Sequence, residues 1–422
     1  MIALCASATA QTRDYYVARA GSDSVGDGSQ QKPWATIQKA ITSFIPGSAG
    51  AVIHVAPGSY SSTQTLGSCA SVATNVCVDH DGTSSARLVI KCDDPTTGCK
   101  LVANPAGGYA VVIEANYVDF VGFEVGPCSA CNAGIAILGG PSFNNKGTSI
   151  HILNNYVHDI AQDGNDGNGF GTGCPSSGMI IADFKHNPIP GLQVIGNRIN
   201  NGGRMSLGQA CNQFHGLYVS NATVIQNNII SNIVSQGINF GPSPCGGKIT
   251  NNTVFHNGHR GILIASYTGD NCSPDGNNTV NNNIVVNNNI NNSGVCGIEE
   301  YSGGAGTNNL YANNLLQGNS CGDSIRLTTS PSSAVQNLRH EGTDITFVSY
   351  RDDGTGDYHL KAGSVAVGHG TTSCTSGVTN CVPLIDVAGV TRPTPPSLGL
   401  LEFGGILGDG PSAPTGLTAT VQ

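Results

Sequence analysis

Gly237-Ile-Asn-Phe-Gly is followed by Ile249-Thr-Asn-Asn-Thr-Val, and the pair then recurs as Gly261-Ile-Leu-Ile-Ala and Val280-Asn-Asn-Asn-Ile-Val. The first part is a short apolar strand opened by Gly, and the second an alternating strand with Asn at its centre. Working outward, the Gly-led part is found again at Gly134, Gly178, Gly216 and Gly297. The Asn-centred part is found at Ile152-Leu-Asn-Asn-Tyr-Val, Val194-Ile-Gly-Asn-Arg-Ile, Val224-Ile-Gln-Asn-Asn-Ile and Leu310-Tyr-Ala-Asn-Asn-Leu. Aligning the units places Asn155, Asn197, Asn227, Asn252, Asn283 and Asn313 at one position. Units of this size with short strands cannot bury an apolar face alone, and stacking them makes a solenoid. The expected fold is therefore all-β: a right-handed parallel β-helix with an N-terminal cap helix and long loops over one face. Asn tolerates the left-handed conformation and can bond the amide stacked above it, so the Asn row is read as structural.

Composition agrees with a turn-rich chain: among 422 residues there are 58 Gly, one Trp and three Met, and only 11% are charged. A formal net charge of −9 with scattered basic residues gives no footprint for nucleic acid. No stretch is apolar enough to span a bilayer. The chain is expected to act as a monomer.

Fifteen Cys without a paired metal motif point to an oxidising compartment. Setting Cys5 aside, neighbours pair as Cys69 with Cys77, Cys92 with Cys99, Cys128 with Cys131, Cys174 with Cys211, Cys245 with Cys272, Cys296 with Cys321, and Cys374 with Cys381. Cys296 and Cys321 each precede a Gly, so they are expected one above the other on adjacent coils. Ala8-Thr9-Ala10 ends the first ten residues in a small-x-small pattern, which fits the tail of a secretory signal or an ordinary N-terminus. The expected location is secreted or cell surface.

The expected organisation is a partial signal over 1–10, the N-terminal cap and first coil over 11–66, coils over 67–345, a C-terminal cap over 346–408, and a linker over 409–422. Trp34 to Phe44 carries apolar residues at helical spacing after Pro33, which predicts the cap helix.

Tyr15-Tyr16-Val17, Gly21-Ser22-Asp23, Lys32-Pro33-Trp34, Thr36-Ile37-Gln38 and Pro57-Gly58-Ser59-Tyr60 resemble the opening of secreted β-helix proteins of the pectate-lyase-like superfamily. Asp357-Tyr-His-Leu-Lys-Ala-Gly-Ser, Asp386-Val-Ala-Gly-Val-Thr-Arg-Pro and Leu400-Leu-Glu-Phe-Gly are similar to the closing segment of its bacterial surface members. Ala413-Pro-Thr-Gly-Leu-Thr-Ala-Thr-Val resembles the first strand of a fibronectin type III module. The resemblance implies action on a polysaccharide, most simply a lyase cleaving an acidic, uronate-containing glycan. Glycoside hydrolysis on the same fold and non-catalytic carbohydrate binding are the alternatives, because superfamily and chemistry are not tied.

Alternation along the Gly-led strands selects the side chains that leave the core. The residue before Gly reads Ser177, His215, Gln236, Arg260 and Cys296, and the second after it Ile180, Tyr218, Asn239, Leu263 and Glu299. Insertions from Asp159 to Ser177 and from Asn200 to Phe214 are expected to overhang this face. Eliminating a uronate needs a base for the proton alpha to the carboxylate, a cation for that carboxylate, and an acid for the leaving oxygen. His215, Tyr218, Arg260 and Lys185 are the catalytic candidates, with His186 beside Lys185. Gln236, Asn239, His259, Glu299, Tyr301 and Arg204 are the candidate substrate-binding residues. Calcium is the cofactor that the resemblance implies. Asp163 and Asp166 offer hard oxygens for it in a Gly/Asn-rich loop that departs from Asp-rich calcium motifs and from EF-hand order; a solvated turn is the other reading. A hydrolase would need two facing carboxylates. Asp183, Asp270, Glu299 and Glu300 are available, although Asp183 and Glu299 fall several coils apart. Glu300 falls inward and requires a partner there.

Overall fold

The computed structural model describes residues 13–44, 50–66, 68–140, 144–163, 175–182, 189–219, 222–265, 276–301, 305–321, 323–328, 332–339 and 346–404. The repeat folds as a parallel β-helix. Three sheets, one 11-stranded and two 10-stranded, run its length, and each coil contributes one strand to each in sequence order. The first sheet runs from Arg13–Val17 to Ser333–Val335, the second from Gly58–Tyr60 to Leu338–Arg339, and the third from Gln64–Thr65 to Ile325–Arg326. Pairing within them is parallel except where Gln64–Thr65 meets Ala73–Val78.

The core is a set of stacked apolar columns. In the third sheet Ile180, Leu217, Ile238 and Ile262 lie opposite one another on successive coils, and all are fully buried. Each such side chain contributes roughly 1.5–3 kcal/mol on leaving water. Gly237 and Gly261 open their strands because the corner there leaves no room: a Cβ would meet Val254 Cγ1 or Val285 Cγ1, at 2.5 Å in each case.

The Asn row is present but displaced by one residue in two coils. The ladder is Asn155, Asn197, Asn228, Asn252, Asn283, Asn314 and Asn337; from Asn197 onward each Oδ1 accepts the backbone N–H and the Nδ2 of the Asn one coil earlier, and Asn155 Oδ1 accepts from Phe123 N. Asn227 and Asn313, expected in it, sit one position before it with φ of 55° and 52°. Thus the left-handed turn and the amide stack, which the sequence merges in one Asn, belong to two adjacent residues. A second ladder links Asn257, Asn288 and Asn319.

The helix expected near the start spans Ile37–Ser43 and packs Ile37, Ala40 and Ile41 into the core. Thr36 is its N-cap, accepting from Lys39 N, so Pro33 lies before the first turn rather than in it. Residues 346–404 run back along the flank. Phe347, Tyr358, Leu360, Leu398 and Leu400 cover the outward apolar residues Ile229, Phe255, Ile284 and Leu315.

Cys69–Cys77, Cys92–Cys99, Cys128–Cys131, Cys296–Cys321 and Cys374–Cys381 are bonded as expected. Cys211 and Cys245 are also disulfide-bonded, while their expected partners Cys174 and Cys272 lie outside the described residues. The strand after Cys321 departs from the spacing expected from the glycines, however. Ile298 pairs with Ile325, which sets Ser324 opposite Gly297. The inward Glu300 has its partners: Asn309 Nδ2 donates at 3.1 Å, the Tyr311 hydroxyl at 3.0 Å and Thr328 N at 2.8 Å. No helix among the described residues is long and apolar enough to cross a membrane.

Candidate functional site

The third sheet presents one outward column in which Tyr218, Asn239, Leu263, Glu299 and Arg326 follow one another on successive coils. Upstream of Tyr218 the column is apolar, with Val112, Ala136 and Ile181. It is Ile181, not Ile180, that faces Tyr218, because Gly178 pairs with His215 rather than Gly216. The strand at Gly178 is thus offset by one residue from the alignment on glycines, and the same offset sets Ala133 opposite Gly178. Tyr218 is half-buried and packs on this apolar stretch.

His215 turns to the same side. Its ring lies edge-on to Tyr218 with centroids 5.2 Å apart, and Asn239 Nδ2 donates to its Nε2 at 3.0 Å. That leaves Nδ1 as the protonated nitrogen. Burial pulls the His215 pKa down to about 3; the Gln236 side chain opposes this, and nearby His259 and Arg260 add to it. His259 is shifted down too, by burial and then by Arg260. Both imidazoles are therefore neutral at neutral pH.

Arg260 Nη2 bonds Glu299 Oε1 at 2.8 Å, and the other carboxylate oxygen takes Arg326 Nη1 at 3.3 Å and Cys296 N at 3.1 Å. One buried carboxylate thus holds two guanidinium groups, and the trio carries a net charge of about +1 at neutral pH. Four buried polar atoms of this region have no hydrogen-bond partner among the described residues: His215 Nδ1, Asn239 Oδ1, His259 Nε2 and Arg260 Nε. Leaving such an atom unpaired costs about 1–3 kcal/mol, so a group of them marks a place where a ligand or solvent supplies the partner.

The strip expected to lie open is largely covered. His215 is only 3% exposed, and Gln236, Asn239, His259 and Glu299 are similarly buried. The insertion ending at Phe214 contributes to this cover, since Ser235 Oγ donates to Asn212 O at 2.6 Å. The polar groups that reach the surface are Tyr218 and, above all, Arg326, with 45% of its side chain exposed. Sequence alignment missed Arg326 because its coil lacks Gly at the expected place.

The structure does not bring every expected residue here. Tyr301 lies just past the column, 38% exposed, donating its N–H to Ile264 O. Arg204 starts the 3-10 segment Met205–Cys211, with its carbonyl bonded to Leu207 N, and no bond joins it to the cluster among the described residues. Asp163 N donates to Ser129 O. Lys185, His186, Asp183, Asp270 and Asp166 lie outside the described residues. Among the described residues no three His, Cys, Asp or Glu assemble as a metal cage, and the loop expected to hold calcium lies outside them after Asp163. Glu299 and Glu300, adjacent on one strand, point to opposite faces and do not form a facing pair.

No family model matches the chain, and no curated protein matches it in sequence. Among solved structures it is similar to the pectate lyase Pel9A, with a TM-score of 0.52 and 18% identity over 94% of this chain and 97% of that one. A rhamnogalacturonan lyase matches with a TM-score of 0.47 and 14% identity, over 81% of this chain and 91% of that one. The alginate lyase from Paenibacillus sp. str. FPU-7 matches with a TM-score of 0.35 and 16% identity, over 78% and 95%. In fold, the chain is a pectate-lyase-like parallel β-helix.

Proposed function

We propose that the chain is an extracellular lyase that cleaves an acidic, uronate-containing polysaccharide by β-elimination. The observation that carries this reading is the convergence, on one strip of the third sheet, of four buried polar atoms that lack a partner among the described residues with the net-positive trio of Arg260, Arg326 and Glu299. The fold shared with a pectate lyase and the disulfides support it. Elimination requires that charge building on the carboxylate be neutralised while a proton is moved at the adjacent carbon. Arg260, with Nε unpaired, is the group that receives the carboxylate. Tyr218, half-buried at the edge of the cluster, is the proton-transfer group. His215 sits behind it as a neutral imidazole whose ring packs edge-on to the phenol, with Nδ1 left as a donor for the substrate rather than as the group that takes the proton.

Incubation with pectic, alginate and neutral polysaccharides, with and without calcium, tests the reading through ultraviolet absorbance of the unsaturated product. A rise on an acidic polymer alone supports it. New reducing ends without absorbance would replace it with hydrolysis, and retention without cleavage with a binding role.

A further inference from the structure

Arg260 is locked to Glu299, but Arg326 has almost half its side chain in solvent and shares the same carboxylate. Its remaining tie is Nη2 to Gly294 O at 3.2 Å. Among the described residues in contact with either guanidinium, Glu299 is the only carboxylate. An anionic group of a ligand is therefore attracted to the exposed side of Arg326. Guanidinium is suited to this, because its planar fork matches a carboxylate and it sheds water readily.

Register supplies the distance. Tyr218 and Arg326 occupy the same outward column, four strand steps apart through Asn239, Leu263 and Glu299. At ~4.8 Å per step that is about 19 Å along the solenoid axis. One sugar cannot reach both ends, whereas an oligomer lying across the strands does.

We infer that Arg326 is a specificity residue that binds the carboxylate of a sugar beyond the one whose carboxylate Arg260 receives, with Glu299 as the positioning residue for its guanidinium. This rests on the proposed site but predicts binding, which is separable from cleavage. Its consequence is a chain-length requirement: a uronate hexamer engages Arg326 and a dimer does not.

The test is calorimetric titration of the full chain with hexamers and dimers of galacturonate, mannuronate and guluronate, and with the methyl-esterified galacturonate hexamer, run beside the cleavage assay. For at least one acidic hexamer, Arg326→Ala is expected to weaken binding ten-fold or more and to flatten its salt dependence. Arg326→Lys should recover part of the affinity, and the dimer and the ester should be unaffected by either change. Binding of the hexamer in this pattern without cleavage would sustain Arg326 and remove the lyase reading. Cleavage with hexamer affinity unchanged in Arg326→Ala would remove Arg326 and leave the lyase. Wild-type protein that binds none of the acidic hexamers would overturn the inference outright.

Discussion

Asn239 donates through Nδ2 to Nε2 of His215 from the next coil, 3.0 Å away and out of water, while Nδ1 of the same ring has no partner among the described residues. This bond sets the tautomer of the imidazole, and burial keeps the ring neutral. Asn239→Asp replaces the donor with a carboxylate of nearly the same shape, which favours the protonated ring. Nuclear magnetic resonance of the His215 ring is expected to show no titration between pH 5 and 8 in the wild type, and a titration within that window in the variant. An unchanged ring in Asn239→Asp would mean that the bond does not govern its charge.

His215 also links pH to stability. Its folded pKa of about 3 lies below the ordinary value near 6.5, so at intermediate pH the unfolded chain binds the extra proton. The full contribution is present above about pH 6.5 and is lost as pH falls toward 3, on the order of a few kcal/mol. His259 shifts in the same direction. Urea unfolding at pH 7 and pH 4.5 should show a fall in the midpoint that is smaller in His215→Gln. An equal fall in both proteins would assign the acid sensitivity elsewhere.

The ladder makes a sharp distinction between two neighbours. Asn228 is fully buried and makes four bonds: it accepts from Asn197 N and Nδ2 and donates to Val194 O and Asn252 Oδ1. Asn228→Ala is expected to cost about 2–4 kcal/mol, since it strands buried partners on both sides. Asn313, at a left-handed turn position in another coil, has one side-chain bond, to His369 O. Asn313→Gly keeps the turn and should stay within about 1 kcal/mol of the wild type. Denaturant unfolding of the two variants measures both, and equal losses would contradict the ladder as described.

Glu299→Ala removes the one carboxylate between Arg260 and Arg326. Because the carboxylate is buried and the Arg260 side chain largely so, a loss of about 3 kcal/mol is expected, more than for an exposed ion pair. Loss of less than about 1 kcal/mol would show that the trio is not coupled.

The fold was legible because Gly, Ile and Asn recur at positions that only a stacked coil explains. The site was legible in part. His215, Gln236, Arg260 and Glu299 were found by counting from glycines, and four successive coils keep that count. The count slips at Gly178 and again after Cys321, where Ile298 pairs with Ile325, and there Ile180 was misplaced and Arg326 missed. A glycine marks a crowded corner, not a register, so it carries position only while successive corners are alike. Burial of the strip was legible only in part: the insertion ending at Phe214 is expected over this face, but how closely it packs on the coils depends on contacts such as Ser235 Oγ to Asn212 O, which no repeat signals. For the same reason Asn227 and Asn313 were read into the ladder: two adjacent Asn look alike in sequence, and only backbone φ separates their roles.

The most direct measurement is the rate of unsaturated-product formation on the responsive acidic polymer for the wild type, Tyr218→Phe and Arg260→Ala. Tyr218→Phe keeps the ring against Ile181 and removes only the hydroxyl. The account predicts a fall in kcat of a hundred-fold or more for Tyr218→Phe and a ten-fold or greater loss in kcat/KM for Arg260→Ala, with both proteins folded. Wild-type rates in both variants would contradict the placement of the chemistry on this strip of the β-helix.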